Sequence, residues 1–206
     1  MKQIAEQLLA INAVKLQPND PFTWASGWKS PIYCDNRKAL SDPDARFLIS
    51  ETLARLVVNK FSGADCIVGV ATGAIAWGAI VAENLDKPFA YVRSSAKDHG
   101  LQNKIEGVVK PGDKVVVIED LISTGGSSLA AVQALRDAGA EVLGMVAIFS
   151  YQFPKAQEAF LAAKCDLYTA SGYSELLEVA AAQGLFGEAE KELLAQWRKS
   201  PDTWGK

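Results

Sequence analysis

Two adjacent carboxylates, Glu119 and Asp120, are the residues whose types and spacing could most directly do chemistry. They follow an apolar run at 115–118 and precede a turn of hydroxyl residues and glycines at 123–128. Glycines let a backbone turn tightly with its N–H groups inward, and a helix that begins after the turn adds partial positive charge, so the turn could bind a phosphate dianion. Because carboxylates would repel a bare phosphate chain, the string favours a sugar phosphate whose hydroxyls donate to the acids, or a metal held beside the phosphate pocket.

The sequence lacks two common nucleotide-binding motifs. No Gly-Lys-Ser/Thr completes a P-loop, and no G-x-G-x-x-G opens the first turn between strand and helix. A lone Gly-Gly would be explained as well by a tight turn beside solvated acids. The complete string of strand, two acids, hydroxyls, glycines and helix favours the ligand site.

Apolar segments that alternate with helices must position these acids. The sequence predicts a helix at the start of the chain, then two short strands around the Ser26-Gly27 turn, and a helix beginning near Ser41-Asp-Pro43. Five apolar strands follow, at 66–70, 89–92, 114–118, 141–149 and 165–169. The alternation predicts an α/β fold with a mainly parallel five-stranded sheet flanked by helices. Ligands bind at the carboxyl ends of such strands, which singles out the loops 71–74, 93–107 and 119–128.

The 115–129 segment resembles the signature of type I phosphoribosyltransferases, which binds phosphoribosyl pyrophosphate (PRPP). The resemblance covers most of the chain and implies the fold of that family with a small N-terminal hood. It implies that Glu119 and Asp120 contact the ribose hydroxyls, with Asp120 among the catalytic residues, and that the 123–128 turn holds the 5-phosphate. The PRPP contacts it implies along this segment continue over Leu121, Ile122, Ser123, Thr124, Gly125, Gly126 and Ser127.

The polar loop 93–107 concentrates cations and holds His99, the only histidine of the chain. It could be a solvated loop balanced by its own acids, or a lid whose cations close on a polyanion. Its Arg…Lys-x-His-Gly pattern resembles the catalytic loop of orotate phosphoribosyltransferases. That resemblance implies that Arg93, Lys97 and His99 bind pyrophosphate and act in catalysis, and that the loop completes the neighbouring site of a homodimer. Ser94 stands where many relatives have lysine.

Two further segments fit the resemblance. Ala71, Thr72 and Gly73 match the loop that touches pyrophosphate, although the lysine that some relatives have there is missing, so these residues would act through their backbone. The aromatic segment 22–37 resembles the hood that covers orotate, a planar anion. The implied orotate contacts are Ser123, Lys29, Tyr33 and Arg37. Ala25 stands where some relatives place a lysine.

The implied reaction joins N1 of orotate to C1 of the PRPP ribose and yields orotidine 5'-monophosphate and pyrophosphate, a step of pyrimidine biosynthesis. The transition state would have oxocarbenium character, stabilised mainly by positioning and electrostatics. Mg²⁺ would be held by substrate oxygens near Glu119 and Asp120 rather than directly by protein ligands. His99 would donate either a proton or a hydrogen bond, and the residues leave both alternatives open.

Bulk composition agrees with a cytoplasmic enzyme acting on small molecules. The 206 residues carry a formal net charge of −3, which disfavours a nucleic-acid partner, and three scattered cysteines, which favour reduced thiols. No apolar stretch is long enough for a membrane span and the N-terminus does not have the pattern of a signal peptide. We expect a single domain over 1–206, with the hood within 1–40 and the core sheet within 63–170. Two alternatives share the 119–128 motif: an enzyme for a purine or another pyrimidine, and a PRPP-sensing regulator without catalysis.

Overall fold

The computed structural model describes residues 2–93 and 104–205. Eighteen regular elements occur in these two ranges. In the first range they are α1 (Lys2–Ala10), β1 (Val14–Leu16), β2 (Phe22–Thr23), β3 (Lys29–Ser30), β4 (Ile32–Cys34), a 3-10 helix (Asn36–Ser41), α2 (Pro43–Lys60), β5 (Cys66–Val70), α3 (Ile75–Asn84) and β6 (Phe89–Val92). In the second they are β7 (Ile105–Glu106), β8 (Lys114–Ile122), α4 (Gly126–Asp137), β9 (Glu141–Ser150), α5 (Pro154–Ala162), β10 (Leu167–Gly172), α6 (Tyr173–Ala182) and α7 (Glu188–Lys199).

The central sheet has six strands in the order β10-β9-β8-β5-β6-β7. The five strands predicted from the sequence are confirmed, and all of them pair in parallel. The predicted number of strands was one too few, because β7 adds a two-residue antiparallel edge in which Val92 pairs with Ile105. A strand this short carries no alternation of apolar and polar residues that a sequence could display.

Strand β8 is longer than the sequence predicts. The apolar run ends at Ile118, but the ladder continues to Ile122, which pairs with Ser150 of β9. Glu119 and Asp120 therefore lie inside the strand rather than after it. Their side chains point to opposite faces, since successive residues of a strand alternate: Glu119 is buried and Asp120 half-buried.

Helices cover both faces of the sheet, as parallel strands require. Two clusters of buried apolar residues result, one on each side of the sheet. The start of α2 shows how local residues set the end of a helix. The Asp42 carboxylate accepts a hydrogen bond from the Ala45 N–H at 2.8 Å, and Pro43 lies in the first turn of the helix. None of the helices in the two described ranges is both long enough and apolar enough to span a bilayer.

The N-terminal segment forms two small antiparallel pairs outside the central sheet, β1 with β4 and β2 with β3. The β2–β3 hairpin confirms the predicted strands around Ser26-Gly27, with Gly27 at φ 82°. Trp24 of this hairpin packs on Tyr151 after β9 and on Trp197 of α7, with ring centroids 4.9 and 5.7 Å apart. These aromatic contacts hold the hairpin, which is part of the hood, over the carboxyl edge of the sheet.

Candidate active site

A cavity of about 360 Å³ opens at the carboxyl edge of the sheet, where β5 and β8 end. It brings together the two acids, the 71–73 loop and the end of the 123–127 turn. Its lining residues are Cys34, Asp35, Arg37, Val70, Ala71, Thr72, Gly73, Glu119, Asp120, Leu121 and Ser127. We call it the acidic cavity.

The two carboxylates of this cavity differ in burial and in hydrogen bonding. The Glu119 side chain is satisfied within the protein: Oε1 accepts from the Asp120 N–H at 3.0 Å, and Oε2 accepts from the Ser128 hydroxyl at 2.8 Å. Burial, reinforced by the neighbouring Asp120, raises the pKa of Glu119 to about 8. The raised pKa favours the protonated form of Glu119, and the half-buried Asp120 is the other acid that lines the cavity.

The loop at 71–73 closes tightly on that carboxylate. A Cβ built on Gly73 would overlap the carboxylate of Asp120, so a side chain there would force either Asp120 or the loop to move. The Ala71–Thr72 peptide is cis, and the Ala71 N–H donates to the Val92 carbonyl at 2.8 Å. Gly73, which has no side chain, brings the loop backbone close to Asp120; that Ala71, Thr72 and Gly73 act through their backbone stays a prediction.

The turn at 123–127 leads into the N-terminus of α4. Gly125 has φ 83°, a left-handed conformation that favours glycine, and it caps α4 without a side-chain hydrogen bond. The first N–H groups of a helix have no partner inside it, and the helix dipole makes this end attractive to anions. The geometry suits a phosphate group.

Comparisons with known proteins agree with this geometry. Residues 36–167 match the family described as the phosphoribosyl transferase domain. An orotate phosphoribosyltransferase of Porphyromonas gingivalis is 57% identical, with 99% of this chain and 97% of that protein covered. One from Bacillus mycoides is 54% identical, with 98% of each chain covered. This chain belongs to the orotate phosphoribosyltransferase family.

Solved structures of relatives give the same result. An orotate phosphoribosyltransferase from Aeropyrum pernix has a TM-score of 0.77 and 28% identity, covering 89% of this chain and 99% of its own. The enzyme from Mycobacterium tuberculosis in complex with PRPP has a TM-score of 0.65 and 25% identity, covering 85% of this chain and 97% of its own. The fold predicted from the sequence is therefore confirmed, and the chain is a phosphoribosyltransferase enzyme. The two alternatives, an enzyme for another base and a sensor without catalysis, are set aside by this membership.

A second cavity of this orotate phosphoribosyltransferase, of about 380 Å³, lies under the hood. Its lining residues are Thr23, Trp24, Ala25, Tyr33, Cys34, Leu121, Ser123 and Tyr151. It shares Cys34 and Leu121 with the acidic cavity, so the two cavities meet at a common wall. We call it the hood cavity.

The structure distributes the four predicted orotate contacts unevenly. Ser123 and Tyr33 line the hood cavity. Arg37 lines the acidic cavity instead, where its Nε donates to Asp35 at 2.7 Å; that hydrogen bond is the main reason that the pKa of Asp35 is lowered. Lys29 lines neither cavity. Its Nζ donates to the Thr23 hydroxyl at 2.9 Å, and its carbonyl accepts from the Trp197 indole at 3.2 Å.

The predicted cationic loop is described only at its ends. Arg93 lies beside a small cavity of about 70 Å³ that is lined also by Val70, Ala71 and Ser127. Its guanidinium is 3.4 Å from Glu106, and its N–H donates to the Lys104 carbonyl at 2.8 Å. Lys97 and His99 lie outside the described residues, so their predicted roles stay predictions.

Sequence reasoning missed one residue that joins the hood to the acidic cavity. Asn36 is 1% exposed; its Nδ2 donates to the Asp120 carbonyl at 2.6 Å, and its Oδ1 accepts from the Cys34 thiol at 3.2 Å. Cys34 and Tyr151 were also missed, although each lines the hood cavity. An amide or a thiol in a single sequence carries no mark of such a contact between residues 84 positions apart.

Proposed function

We propose that this enzyme transfers ribose 5-phosphate from PRPP to N1 of orotate, giving orotidine 5'-monophosphate and pyrophosphate in pyrimidine biosynthesis. The observation that carries the proposal is the common wall of the two cavities, Cys34 and Leu121. A sugar phosphate in the acidic cavity and a flat base in the hood cavity would meet there, with C1 of the ribose facing the base. Holding two reactants in such contact is a large part of what an enzyme supplies.

The parts of PRPP are assigned to the parts of the acidic cavity by charge. The 5-phosphate takes the N–H groups of the 123–127 turn at the start of α4. The ribose hydroxyls donate to Asp120, with Glu119 behind it, and the pyrophosphate lies on the backbone of Ala71, Thr72 and Gly73. Arg93, at the neighbouring small cavity, and Lys97 and His99 complete the pyrophosphate site.

The reaction then needs little proton transfer by the protein. The negative charge of orotate lies on its carboxylate, so N1 loses its proton as the bond to C1 forms, and the departing pyrophosphate is a base that can accept it. Positive charge grows on the ribose as the bond to pyrophosphate breaks, and the Asp120 carboxylate favours that charge at close range in a site that excludes water. Arg93, Lys97 and His99 favour the departing pyrophosphate.

Mg²⁺ fits this site as an ion carried by the substrate. No group of three or more acidic, histidine or cysteine side chains that could hold a metal occurs within 2–93 and 104–205. Glu119 is already hydrogen-bonded on both oxygens, which leaves Asp120 as the carboxylate able to approach an ion. Mg²⁺ typically combines one or two carboxylates with substrate phosphates and water, and it would supply charge neutralisation to the pyrophosphate.

Two further features belong to the proposal. The enzyme acts as a homodimer in which the 93–107 loop completes the neighbour's site, as the family resemblance implies. It works in the cytoplasm: Cys34, Cys66 and Cys165 are all buried free thiols, a state that a reducing compartment preserves. Neither a membrane nor a nucleic acid is needed for the reaction.

The experiment that tests the proposal is a base-selectivity assay. Purified protein, PRPP and Mg²⁺ are mixed with orotate, and in parallel with adenine, hypoxanthine or uracil, while base absorbance and released pyrophosphate are followed. Turnover confined to orotate is expected. Turnover with another base alone would overturn the assignment of the hood cavity, and PRPP binding without any turnover would point to a sensor.

A further inference from the structure

Tyr151 is a buried residue in the wall of the hood cavity that the proposed mechanism leaves without a role. It follows β9 and is 2% exposed, with its ring 4.9 Å from that of Trp24 and 5.5 Å from that of Phe153. Its backbone N–H donates to the Ile122 carbonyl at 3.0 Å, which ties it to the end of β8. The ring is therefore held rigidly, and what remains to be explained is its hydroxyl.

A second buried tyrosine shows what a purely structural hydroxyl does in this fold. Tyr173 belongs to the same aromatic cluster, with its ring 5.4 Å from that of Trp197, and its hydroxyl donates to the Leu194 carbonyl at 3.0 Å. The Tyr151 hydroxyl donates to no residue within 2–93 and 104–205. Buried tyrosines usually satisfy their O–H, so the difference calls for an acceptor that is not part of the described chain.

The Tyr151 side chain is part of the lining of the hood cavity. The pKa of Tyr151 is raised well above its usual value, first by burial and then by Cys34 and Tyr33, which also line the cavity, while a main-chain hydrogen bond from Cys34 lowers it in part. The phenol therefore lies beside these two lining residues. Its raised pKa keeps it protonated, so it can act as a hydrogen-bond donor.

The other walls of the hood cavity explain why such a donor matters. The lining residues named above are all neutral. Besides its ring N–H groups, orotate brings carbonyl and carboxylate oxygens as acceptors, and burying these oxygens without donors is unfavourable. Lys29 reaches this wall only through its hydrogen bond to Thr23. Among the described lining residues, neutral donors are therefore the groups available to these oxygens.

We propose that Tyr151 is a specificity-determining residue of the base site, whose phenolic O–H donates a hydrogen bond to an oxygen of orotate. The inference rests on the proposed function, since it takes the hood cavity to hold the base. It adds a contact that comes from the core of the fold rather than from the hood. Ser123, which follows the neighbouring strand β8, brings a further hydroxyl to the same cavity.

Tyr151→Phe removes one oxygen and leaves the packed ring in place. We expect kcat/KM for orotate to fall about 10- to 100-fold, the range for a lost hydrogen bond to a charged partner, while KM for PRPP stays within about twofold. Tyr173→Phe is the matched control, because it removes a buried hydroxyl from the same cluster at a residue that does not line the cavity. It should lower the melting temperature while leaving orotate kinetics unchanged.

The decisive measurements are steady-state kinetics for both substrates, thermal melting, and calorimetric binding of orotate in the presence of pyrophosphate, for wild type and both variants. Wild-type orotate kinetics in Tyr151→Phe, or an equal loss in Tyr173→Phe, would overturn the assignment. A wild type that turns over no orotate would instead refute the proposed function. In that case, orotate binding that is weaker in Tyr151→Phe than in Tyr173→Phe would still support the contact, and equal or absent binding would reject it.

Discussion

Gly73 faces the Asp120 carboxylate so closely that no side chain can stand between them. A Cβ added at Gly73 would overlap all three atoms of that carboxyl group. The contact joins the loop after β5 to the end of β8, two strands that pair side by side with Val68 opposite Val117. The loop proposed for pyrophosphate and the acid proposed for ribose are therefore positioned by each other.

Gly73→Ala should impair use of PRPP far more than it impairs the fold. The methyl group forces either the loop or Asp120 out of place, and a displacement of about 1 Å in a catalytic group can lower the rate about 100-fold. We expect a loss of that order in kcat/KM for PRPP. Gly63→Ala is the control, because a Cβ there meets nothing within 4 Å. Near-normal PRPP kinetics in Gly73→Ala would show that the contact is not functional.

Lys97→Ala should lower turnover sharply without loss of stability. Lys97 lies outside the described residues, so the prediction rests on the cations of the 93–107 loop and their resemblance to a catalytic loop. We expect kcat to fall about 100-fold or more, as for other residues that stabilise charge in the transition state, with an unchanged melting temperature. Lys110→Ala, an exposed lysine beyond the loop, serves as the control. Turnover within a few-fold of that of wild type would contradict the interpretation of the 93–107 loop as a lid.

The parts of the fold that the sequence predicts are those with long local patterns. Strand β5 has only buried residues and reads as an unbroken apolar run, and the turn at 123–128 carries its own glycines and hydroxyls. The C-terminal residues form two helices, α6 and α7, and not one. The structure separates them, with Gly184 at φ 68° just after α6 ends, because glycine there takes a conformation that ends a helix.

The parts of the site that the sequence missed depend on contacts between distant residues. Tyr151 reads as one more aromatic after a strand, and Asn36 as a polar residue at the start of a helix. Their roles appear only when the hood folds over β8, which no local periodicity records. The predicted contact of Lys29 with the base stays a prediction; its ammonium donates to the Thr23 hydroxyl on the same hairpin.

Asn36→Ala should weaken the link between the hood and Asp120. It removes the donor 2.6 Å from the Asp120 carbonyl and leaves a partly buried acceptor unpaired, which destabilises a protein by about 1–3 kcal/mol. We expect both a lower free energy of unfolding and a several-fold higher KM for PRPP. Asn84→Ala, which removes only an exposed hydrogen bond to Glu51, should change neither. A loss of stability with normal PRPP kinetics would limit Asn36 to a structural role.

The raised pKa of Glu119 makes the stability of the protein depend on pH in a definite direction. The pKa rises from 4.5 in the unfolded chain to about 8 in the fold, so between these values the folded state binds more protons than the unfolded state. Stability from this group is fully present below about pH 4.5 and is lost as the pH rises through about 8.

Glu119→Gln keeps the shape of the protonated side chain and has no proton to release. The free energy of unfolding of wild type should therefore fall relative to that of the variant between pH 5 and pH 8.5, by more than about 1 kcal/mol, since each unit of pKa shift corresponds to about 1.4 kcal/mol. Urea unfolding at both pH values measures it. Glu178→Gln is the control, because that carboxylate is exposed and pairs with Lys2 at 3.0 Å. Parallel pH profiles for wild type and Glu119→Gln would mean that Glu119 is ionised beside Asp120, and that both acids offer charge to the ribose.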